Sequence, residues 1–257
     1  MCLIALAWKA HPRYPLIVAA NRDEFYERPT LPAHWWTDAP IFAGRDERGG
    51  GTWMGVSRAG RFAALTNVRD PSRQRGDARS RGLLVSEVLA DPRPLSDAIA
   101  SQATGDYNGF TLLAADWSPD PGSMQLLMAG TMLDAIQPVA PGVHGLSNAA
   151  LDTPWPKVGL VSDTMRSLVV SAAGEPVLLD ELGRALGDRR VADDAALPST
   201  GVSLEWERAL SAPFIAMPTY GTRATTMVLI DYAGRVTFVE RDAQGMRETV
   251  NERFAIG

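Results

Sequence analysis

Two apolar runs near the N-terminus limit the folds open to this chain. Residues 2–8 and 16–20 are apolar at every position, and the segment between them contains Pro12 and Pro15. Strands with one wet face alternate apolar and polar residues, whereas continuously apolar strands are covered on both faces. The sequence therefore predicts two buried strands joined by a turn, in a sheet that has further layers on either side.

The remaining elements come in blocks of strands and blocks of helices. Alternation and turn residues predict strands at 49–57, 62–66, 110–115, 124–130, 145–147, 214–217, 225–231 and 236–240. Helical periodicity predicts helices at 80–89, 94–101, 154–170 and 177–186, and the Pro-rich segment 24–43 is predicted to be irregular. This order favours an α+β sandwich of two sheets between helix layers over a βαβ fold. We expect one domain spanning residues 1–257.

Composition excludes several function classes. The chain has 257 residues and a net charge of −5, which argues against nucleic-acid binding because phosphate neutralisation needs a cationic face. We expect no membrane span, since no apolar stretch approaches ~18 residues. The apolar N-terminus lacks the basic start and the cleavage site of a signal peptide, and the single cysteine allows no internal disulfide, so we expect a cytoplasmic protein. The histidines have no metal-binding spacing, and we expect no metal and no cofactor.

The single cysteine, Cys2, is the strongest candidate for chemistry. Removal of Met1 would leave it with a free α-amine beside its thiol. An α-amine has a reference pKa of about 7.7–8.0, so part of it is unprotonated near neutrality and is available to accept the thiol proton. The alternative is an ordinary cysteine in a buried strand, where the thiol acts as a small hydrophobic group.

Polar residues at the ends of predicted strands are candidates to assist such a nucleophile. Asn21-Arg22-Asp23-Glu24 follows the second strand, Thr66-Asn67 ends a hairpin, Ser147-Asn148 follows a short strand, and Tyr220-Gly221-Thr222-Arg223 precedes one. Each motif alone is weak, because Asn and Asp at strand ends commonly form turns.

Three further segments have two interpretations each. The arginine-rich segment 69–81 is either a solvated loop or an anion site. The triplet Gly49-Gly50-Gly51 lacks the following Gly-Lys-Ser/Thr of a phosphate loop, which favours a turn or a close backbone approach. Trp35 and Trp36 either line a pocket for a hydrophobic ligand or cover a sheet.

Taken together, the motifs resemble those of the NRDE family, the bacterial relatives of the transport-and-Golgi-organisation protein. The resemblance spans the whole chain and rests on these residues: Cys2, Asn21-Arg22-Asp23-Glu24, Gly50-Gly51-Thr52-Trp53, Thr66-Asn67-Val68-Arg69-Asp70-Pro71, Tyr107-Asn108-Gly109-Phe110, Gly145-Leu146-Ser147-Asn148 and Tyr220-Gly221-Thr222-Arg223. It implies an N-terminal-nucleophile (Ntn) hydrolase-like αββα sandwich of two mainly antiparallel sheets, without fixing a reaction.

A more distant resemblance to choloylglycine hydrolase and penicillin V acylase implies roles for individual residues. Asp23 matches the aspartate that contacts the amine of the nucleophile. At the position of the arginine of those enzymes, this chain has Ala20. Arg22 lies two positions later, and its side chain projects from the same face as that of Ala20 only if the backbone there is extended. Asn67 and Asn148 match oxyanion donors, and Arg223 matches a late arginine that positions the substrate. In glutamine-dependent amidotransferases of the same fold, an Asn-Gly pair donates hydrogen bonds to the oxyanion. Asn108-Gly109 resembles that pair, which makes it a second candidate for this role. The alternative is that these two residues form a simple turn.

Two hypotheses follow. The first is a cysteine amidohydrolase that cleaves a small amide or acyl substrate through a thioester. Its catalytic residues are Cys2, Asp23, Asn67, Asn148 and Arg223, and Arg22, Trp53, Asn108 and Gly109 contact the substrate. The second is a non-catalytic carrier or chaperone that holds haem or another hydrophobic ligand in the same cleft. Retention of Met1 would block the α-amine and contradict the first hypothesis.

Overall fold

The computed structural model describes residues 2–242 and 247–257 of the chain. Its strands are β1 Cys2–Trp8, β2 Leu16–Phe25, β3 Thr30–Trp35, β4 Ile41–Asp46, β5 Met54–Ser57, β6 Arg61–Asn67, β7 Phe110–Asp116, β8 Gln125–Gly130, β9 Gln137–Pro138, β10 Gly142–Leu146, β11 Tyr220–Ile230, β12 Arg235–Asp242 and β13 Glu248–Ala255. Its α-helices are α1 Arg81–Ala90, α2 Leu95–Ala100, α3 Pro156–Val170, α4 Glu175–Leu186 and α5 Leu204–Leu210. Within the described ranges, no helix is both long enough and apolar enough to cross a membrane.

The strands form two antiparallel sheets. In the described residues, one sheet has six strands in the order β10-β1-β2-β11-β12-β13, and the other has seven in the order β3-β4-β5-β6-β7-β8-β9. One hydrophobic cluster fills the space between the sheets, a second lies between the first sheet and α3 and α4, and a third lies between the second sheet and α1 and α2. The predicted αββα sandwich is therefore confirmed.

The two N-terminal strands are buried on both faces, as their sequences predict. Along β1, Ile4 and Leu6 join the cluster between the sheets, whereas Leu3 and Ala5 pack against the helix layer. Because side chains alternate along a strand, a continuous apolar run serves two cores at once.

The segment 24–43 is not irregular, contrary to the prediction. It contains the end of β2, all of β3 and the beginning of β4. Pro32 is compatible with β3 because this strand lies at the sheet edge, where a missing N–H costs no ladder bond, and the register with β4 shifts between Leu31 and His34. The prolines that suggested a loop therefore mark an edge strand.

Other differences concern the C-terminal half. The predicted strand at 214–217 is absent from the described structure apart from a single bridge between Ala216 and Gly221, because Pro213 and Pro218 flank it closely. Strand β13 and helix α5 were not predicted. Strand β13 is a polar edge strand with partly exposed side chains, so its sequence carries little apolar signal.

Candidate active site

The motif Asn21-Arg22-Asp23-Glu24 lies inside β2, not after its end as predicted. Strand β2 continues to Phe25 and pairs with β1 so that Arg22 faces Cys2 across the ladder. Residues directly opposite each other project from the same face of a sheet. Cys2, Ala20 and Arg22 therefore share the face toward the second sheet, and the condition that Arg22 needs to replace the acylase arginine, an extended backbone, is met.

Cys2 lies at a cavity of about 690 Å³ between the ends of the two sheets. Its side chain is buried, and burial raises the pKa of the thiol above its ordinary value, although the charge of Arg22 and a hydrogen bond from the Asp23 backbone oppose the shift. The thiol is therefore protonated at neutral pH. A nucleophilic role for it requires a base.

Asp23 follows Arg22 in β2, so its side chain points to the opposite face of the sheet from Cys2. Asp23 is nevertheless one of the residues that line the cavity. Its Oδ1 accepts a hydrogen bond of 2.7 Å from Thr222 Oγ1 on β11, the strand directly opposite. Burial raises the pKa of the Asp23 carboxyl, while the positive charge of Lys157 and the Thr222 hydroxyl act to lower it. The carboxylate is thus held in a fixed position beside the first residues of β1.

Lys157 is a site residue that the sequence analysis missed. It stands in the first turn of α3 and is 1% exposed, and its Nζ has no hydrogen-bond partner among the described residues. Burial lowers its pKa to about 8, against the attraction of Asp23 and Cys2. The sequence does contain one hint of a special role for Lys157, because it is one of only two lysines among 25 basic residues.

Arg22 and Arg28 share one carboxylate, that of Asp46, at the cavity wall. Arg22 Nη2 lies 3.1 Å from Asp46 Oδ2 and Arg28 Nε lies 2.6 Å from the same oxygen. Arg22 Nη1 also donates to Thr30 Oγ1 at 3.2 Å. Asp46 thus anchors both guanidinium groups to the second sheet.

Arg223 sits in β11 at a register shift between Thr222 and Ala224. A bulge of this kind re-aims the extra side chain, and here Arg223 lines the cavity. Its Nη1 donates to the carbonyls of Phe25 and Arg28 at 2.8 and 2.9 Å, so the guanidinium is fixed by backbone oxygens.

The two predicted oxyanion asparagines adjoin each other but differ in position. Asn67 ends β6 and lines the cavity, and within the described part of the chain its side-chain amide has no hydrogen-bond partner. Asn148 is buried behind it, where its Nδ2 donates to the Asn67 carbonyl at 2.9 Å and its Oδ1 accepts from Arg69 Nη2 at 3.3 Å. The geometry leaves Asn67 facing the cavity and ties Asn148 to its backbone.

Trp53 and Asn108 also line the cavity, whereas Gly109 lies outside its lining. Both amide atoms of Asn108 bond to the backbone of Arg75, the Oδ1 atom to its N–H at 2.8 Å and the Nδ2 atom to its carbonyl at 2.9 Å. The Gly109 carbonyl accepts from Arg81 Nη1 at 2.9 Å. Both residues therefore fasten the segment 69–81 to the second sheet.

The segment 69–81 is not uniformly solvated. Arg73 is exposed, as the loop interpretation predicts, but the Arg69 side chain is 4% exposed and pairs with Glu207 at 2.9 Å. Arg81 is half-buried at the cavity wall. Arg81 was not predicted as a site residue, because nothing in the sequence distinguishes an inward-facing arginine from a solvated one.

The glycine triplet brings α1 to the cavity. Gly50 has a φ of +75°, and a Cβ on Gly51 would stand 2.2 Å from the carbonyl carbon of Gly82. Thr52 N donates to the Gly82 carbonyl at 3.1 Å. The interpretation as a close backbone approach is confirmed, and its consequence is that the beginning of α1 lies against the site.

The cavity wall is rich in charge. Eight arginines and five acidic residues line it: Arg22, Arg28, Arg48, Arg75, Arg79, Arg81, Arg223 and Arg241, with Asp23, Glu24, Asp46, Glu240 and Asp242. Burial raises the pKa of Glu240 to about 7.

The two tryptophans at 35 and 36 cover a sheet. Trp36 belongs to the core between the second sheet and its helices, and Trp35 packs on Phe42 and Phe254. Within the described residues, no group of three or more acidic, His or Cys side chains could hold a metal ion.

Comparison with known sequences yields a consistent set of relatives. The sequence model of the family described as Transport and Golgi organisation 2 matches residues 1–245. The Transport and Golgi organization protein 2 homolog of Bos taurus is 37% identical over 268 residues, covering 97% of this chain and 95% of the relative. The Homo sapiens homolog is 37% identical, with 94% and 92% covered, and the Drosophila melanogaster protein is 26% identical, with 96% and 93% covered.

Comparison with solved structures yields Ntn hydrolases. A conjugated bile acid hydrolase variant from Clostridium perfringens superposes with a TM-score of 0.54 at 7% identity, covering 100% of this chain and 92% of the other. The Caenorhabditis elegans ortholog of N-acylethanolamine-hydrolyzing acid amidase has a TM-score of 0.50 at 9% identity, with 89% and 92% covered. At these identities the likeness concerns the fold.

Proposed function

Because this chain belongs to the Transport and Golgi organisation 2 family and has the fold of the Ntn hydrolases, we propose that it is an N-terminal cysteine amidohydrolase. The observation that carries the proposal is the position of Cys2. It stands at the first position of a central strand, at the wall of a cavity of about 690 Å³, opposite Arg22 and next to the backbone of Asp23. The structural neighbours, a bile acid hydrolase and an acid amidase, support an amide or acyl substrate.

The chemistry begins once Met1 has been removed. The α-amine of Cys2 takes the thiol proton, and the sulfur attacks the substrate carbonyl to form a tetrahedral intermediate. The C–N bond then breaks, the protonated α-amine returns its proton to the leaving amine, and a thioester remains on Cys2. Water attacks the thioester with the α-amine as base, which releases the acid and restores the thiol.

The other residues stabilise or position these groups. Asp23, fixed by Thr222, holds the α-ammonium, and Asn67 donates its amide hydrogen to the oxyanion. Asn148 enters the proposal through the hydrogen bond that holds Asn67. The raised pKa of the thiol supports a mechanism with a neighbouring base, because a buried thiol does not ionise by itself at neutral pH.

The test compares the processed chain with a chain that retains Met1. Intact-mass measurement establishes which form is present, and iodoacetamide reports the nucleophilicity of Cys2. We expect rapid labelling by one equivalent in the folded, processed chain and slow labelling in the Met1-retaining chain. A panel of N-acyl amides should then leave an acyl adduct on Cys2 that is trapped by acid quench, with Cys2→Ala as the control.

The carrier hypothesis predicts different results. A haem or lipid carrier would bind its ligand equally well with and without Met1, and would leave no acyl adduct on Cys2. A processed, folded chain whose thiol is inert to alkylation, but reacts once unfolded, would contradict the hydrolase proposal.

A further inference from the structure

The cavity has the opposite charge balance to the protein as a whole. The chain carries a net charge of −5, yet arginines outnumber acidic residues eight to five in the cavity lining. Glu240 reduces the negative charge further, since a carboxyl with a pKa of about 7 is partly protonated at neutral pH. A cleft lined with excess positive charge concentrates anions.

Six of the eight arginines in this lining are paired with an acidic residue, exposed to solvent or bonded to a helix outside the cavity. Arg48 and Arg75 are exposed. Arg22 and Arg28 share Asp46, and Arg79 pairs with Glu87 at 2.7 Å. Arg241 donates to the carbonyl of Leu179 on α4.

Arg81 and Arg223 are different. Both are half-buried, and burial lowers the pKa of each guanidinium. In residues 2–242 and 247–257, no carboxylate lies within ion-pair distance of either one; their hydrogen bonds go to the carbonyls of Gly109, Phe25 and Arg28. Glu24 attracts both from a greater distance but bonds to the Phe25 N–H and lies 3.8 Å from Arg28.

Guanidinium groups withdrawn from water are normally paired, because an unpaired charge loses part of its hydration and gains no partner in return. Backbone carbonyls hold one Nη atom of each arginine and leave the remaining N–H donors for another acceptor. Arg81 and Arg223 line the same cavity as Cys2. The two arginines thus have fixed positions, spare donors and no counter-ion from the described chain.

We propose that Arg81 and Arg223 form a binding subsite for an anionic group, a carboxylate or a phosphate, carried by the molecule on which Cys2 acts. Arginine suits both groups because its N–H donors match their oxygen pairs. The proposal rests on the proposed function only where it says that the bound molecule reacts with Cys2. Binding of the anionic group by the two arginines does not require that Cys2 is a nucleophile.

The test measures binding to Cys2→Ala, in which turnover is impossible, with three probes of one acyl length. N-octanoylglycine carries a carboxylate, N-octanoylethanolamine phosphate carries a phosphate, and N-octanoylglycinamide is neutral. We expect one of the charged probes, measured by calorimetry, to bind at least tenfold more tightly than the neutral one. The preferred probe identifies the group. Equal affinity of all three would overturn the proposal.

Second substitutions locate the site. Arg81→Met and Arg223→Met should each weaken the preferred charged probe about tenfold or more and leave the neutral probe within twofold. Arg79→Met, which removes a lining arginine that is paired with Glu87, is the matched control and should change neither affinity more than twofold. Equal losses in all three variants would mean that general cavity charge, not this pair, binds the anion. If Arg81→Met fails to fold, Arg81→Lys and Arg223→Met decide.

This experiment separates the two proposals. Charge-selective binding that depends on Arg81, together with an inert Cys2 in the processed chain, would leave the anion subsite standing and overturn the hydrolase. A reactive Cys2 with no charge preference would do the reverse.

Discussion

Asn148 donates a hydrogen bond from its Nδ2 to the backbone carbonyl of Asn67, at 2.9 Å. This bond joins the loop after β10 to the end of β6, and so connects the two sheets at the cavity. It gives the two asparagines different expected roles, with Asn67 donating to the oxyanion and Asn148 maintaining its position.

Asn67→Ala should therefore lower kcat with little change in stability. Loss of one oxyanion donor costs about 2.7–4 kcal/mol of transition-state stabilisation, or roughly 100–1,000-fold in rate. Asn148→Ala should lower both kcat and Tm, because it also removes the donor to the part-buried Asn67 carbonyl and one of the acceptors of Arg69. Kinetics on an acyl substrate and thermal unfolding of both variants check this. A kcat within threefold of wild type for Asn67→Ala would remove it from the site.

Asp23→Asn separates charge from shape. The amide keeps the size of the side chain and an oxygen for the Thr222 hydroxyl, but it removes the charge proposed to hold the α-ammonium. We expect the iodoacetamide reaction at Cys2 in the processed chain to slow at least tenfold while Tm falls by only a few degrees. Thr222→Val is the companion variant and should slow the reaction less, since it leaves the charge of Asp23 in place. Its Tm should fall, because it also removes the acceptor of the buried Ile215 N–H. Unchanged labelling in Asp23→Asn would contradict the assignment.

Lys157→Met should change the pH dependence of stability in one window. The pKa of the buried ammonium is lowered to about 8, so the folded chain releases its proton before the unfolded chain does. Wild-type stability should accordingly gain as pH rises from about 8 toward the ordinary lysine pKa of about 10.4, and the variant should lack this gain. At pH 7 two effects of the substitution oppose each other, because methionine removes a desolvated charge but also removes a charge that compensates the buried Asp23 carboxyl. The quantity that tests the prediction is therefore the change in stability between pH 8 and 10. Denaturant unfolding at pH 7, 8.5 and 10 measures it, and a change equal to that of wild type would contradict the assignment.

Glu240→Gln tests the buried carboxyl of β12. Its Oε1 accepts from the Ala33 N–H at 3.1 Å, which glutamine also allows. With the folded pKa raised to about 7, the carboxyl favours the folded state fully below its unfolded pKa of about 4.3, and this contribution is lost as pH rises through 7. The variant should match wild type near pH 4.5 and exceed its stability by about 1–3 kcal/mol at pH 8. A difference that does not vary with pH would show that Glu240 is ionised throughout.

Gly51→Ala should disturb the cavity through α1. A Cβ on Gly51 would stand 2.2 Å from the carbonyl carbon of Gly82, and neither backbone is free to move cheaply. We expect a loss of about 1–3 kcal/mol in the free energy of unfolding, as for other overpacked sites. Anion binding should weaken in the same variant, since Arg81 begins this helix. Gly76→Ala is the control, because a Cβ on Gly76 meets nothing within 4 Å.

Sequence alone determined the layered architecture. The segments of β1 and β2 are apolar on both faces, which predicts a hydrophobic core on each side of their sheet. The helical periodicities of α1, α3 and α4 predict the helices that cover the sheets. Local patterns carry this information because a strand or helix buries the residues that its own periodicity presents. The motifs around Cys2, Asp23, Asn67 and Arg223 also identified which stretches of chain form the cavity wall.

Tertiary structure decided which side chains meet. Asn148 is tied to Asn67, Arg69 is buried against Glu207 and Arg81 turns into the cavity, although all three lie in segments that look like polar loops. Lys157 approaches Asp23 only because α3 packs on the first sheet. These relationships depend on register, on a bulge at Arg223 and on the close contact of Gly51 with Gly82, and none of them is encoded in local periodicity. Burial and charge pairing arise between distant segments, so they exist only once the sheets and helices have assembled.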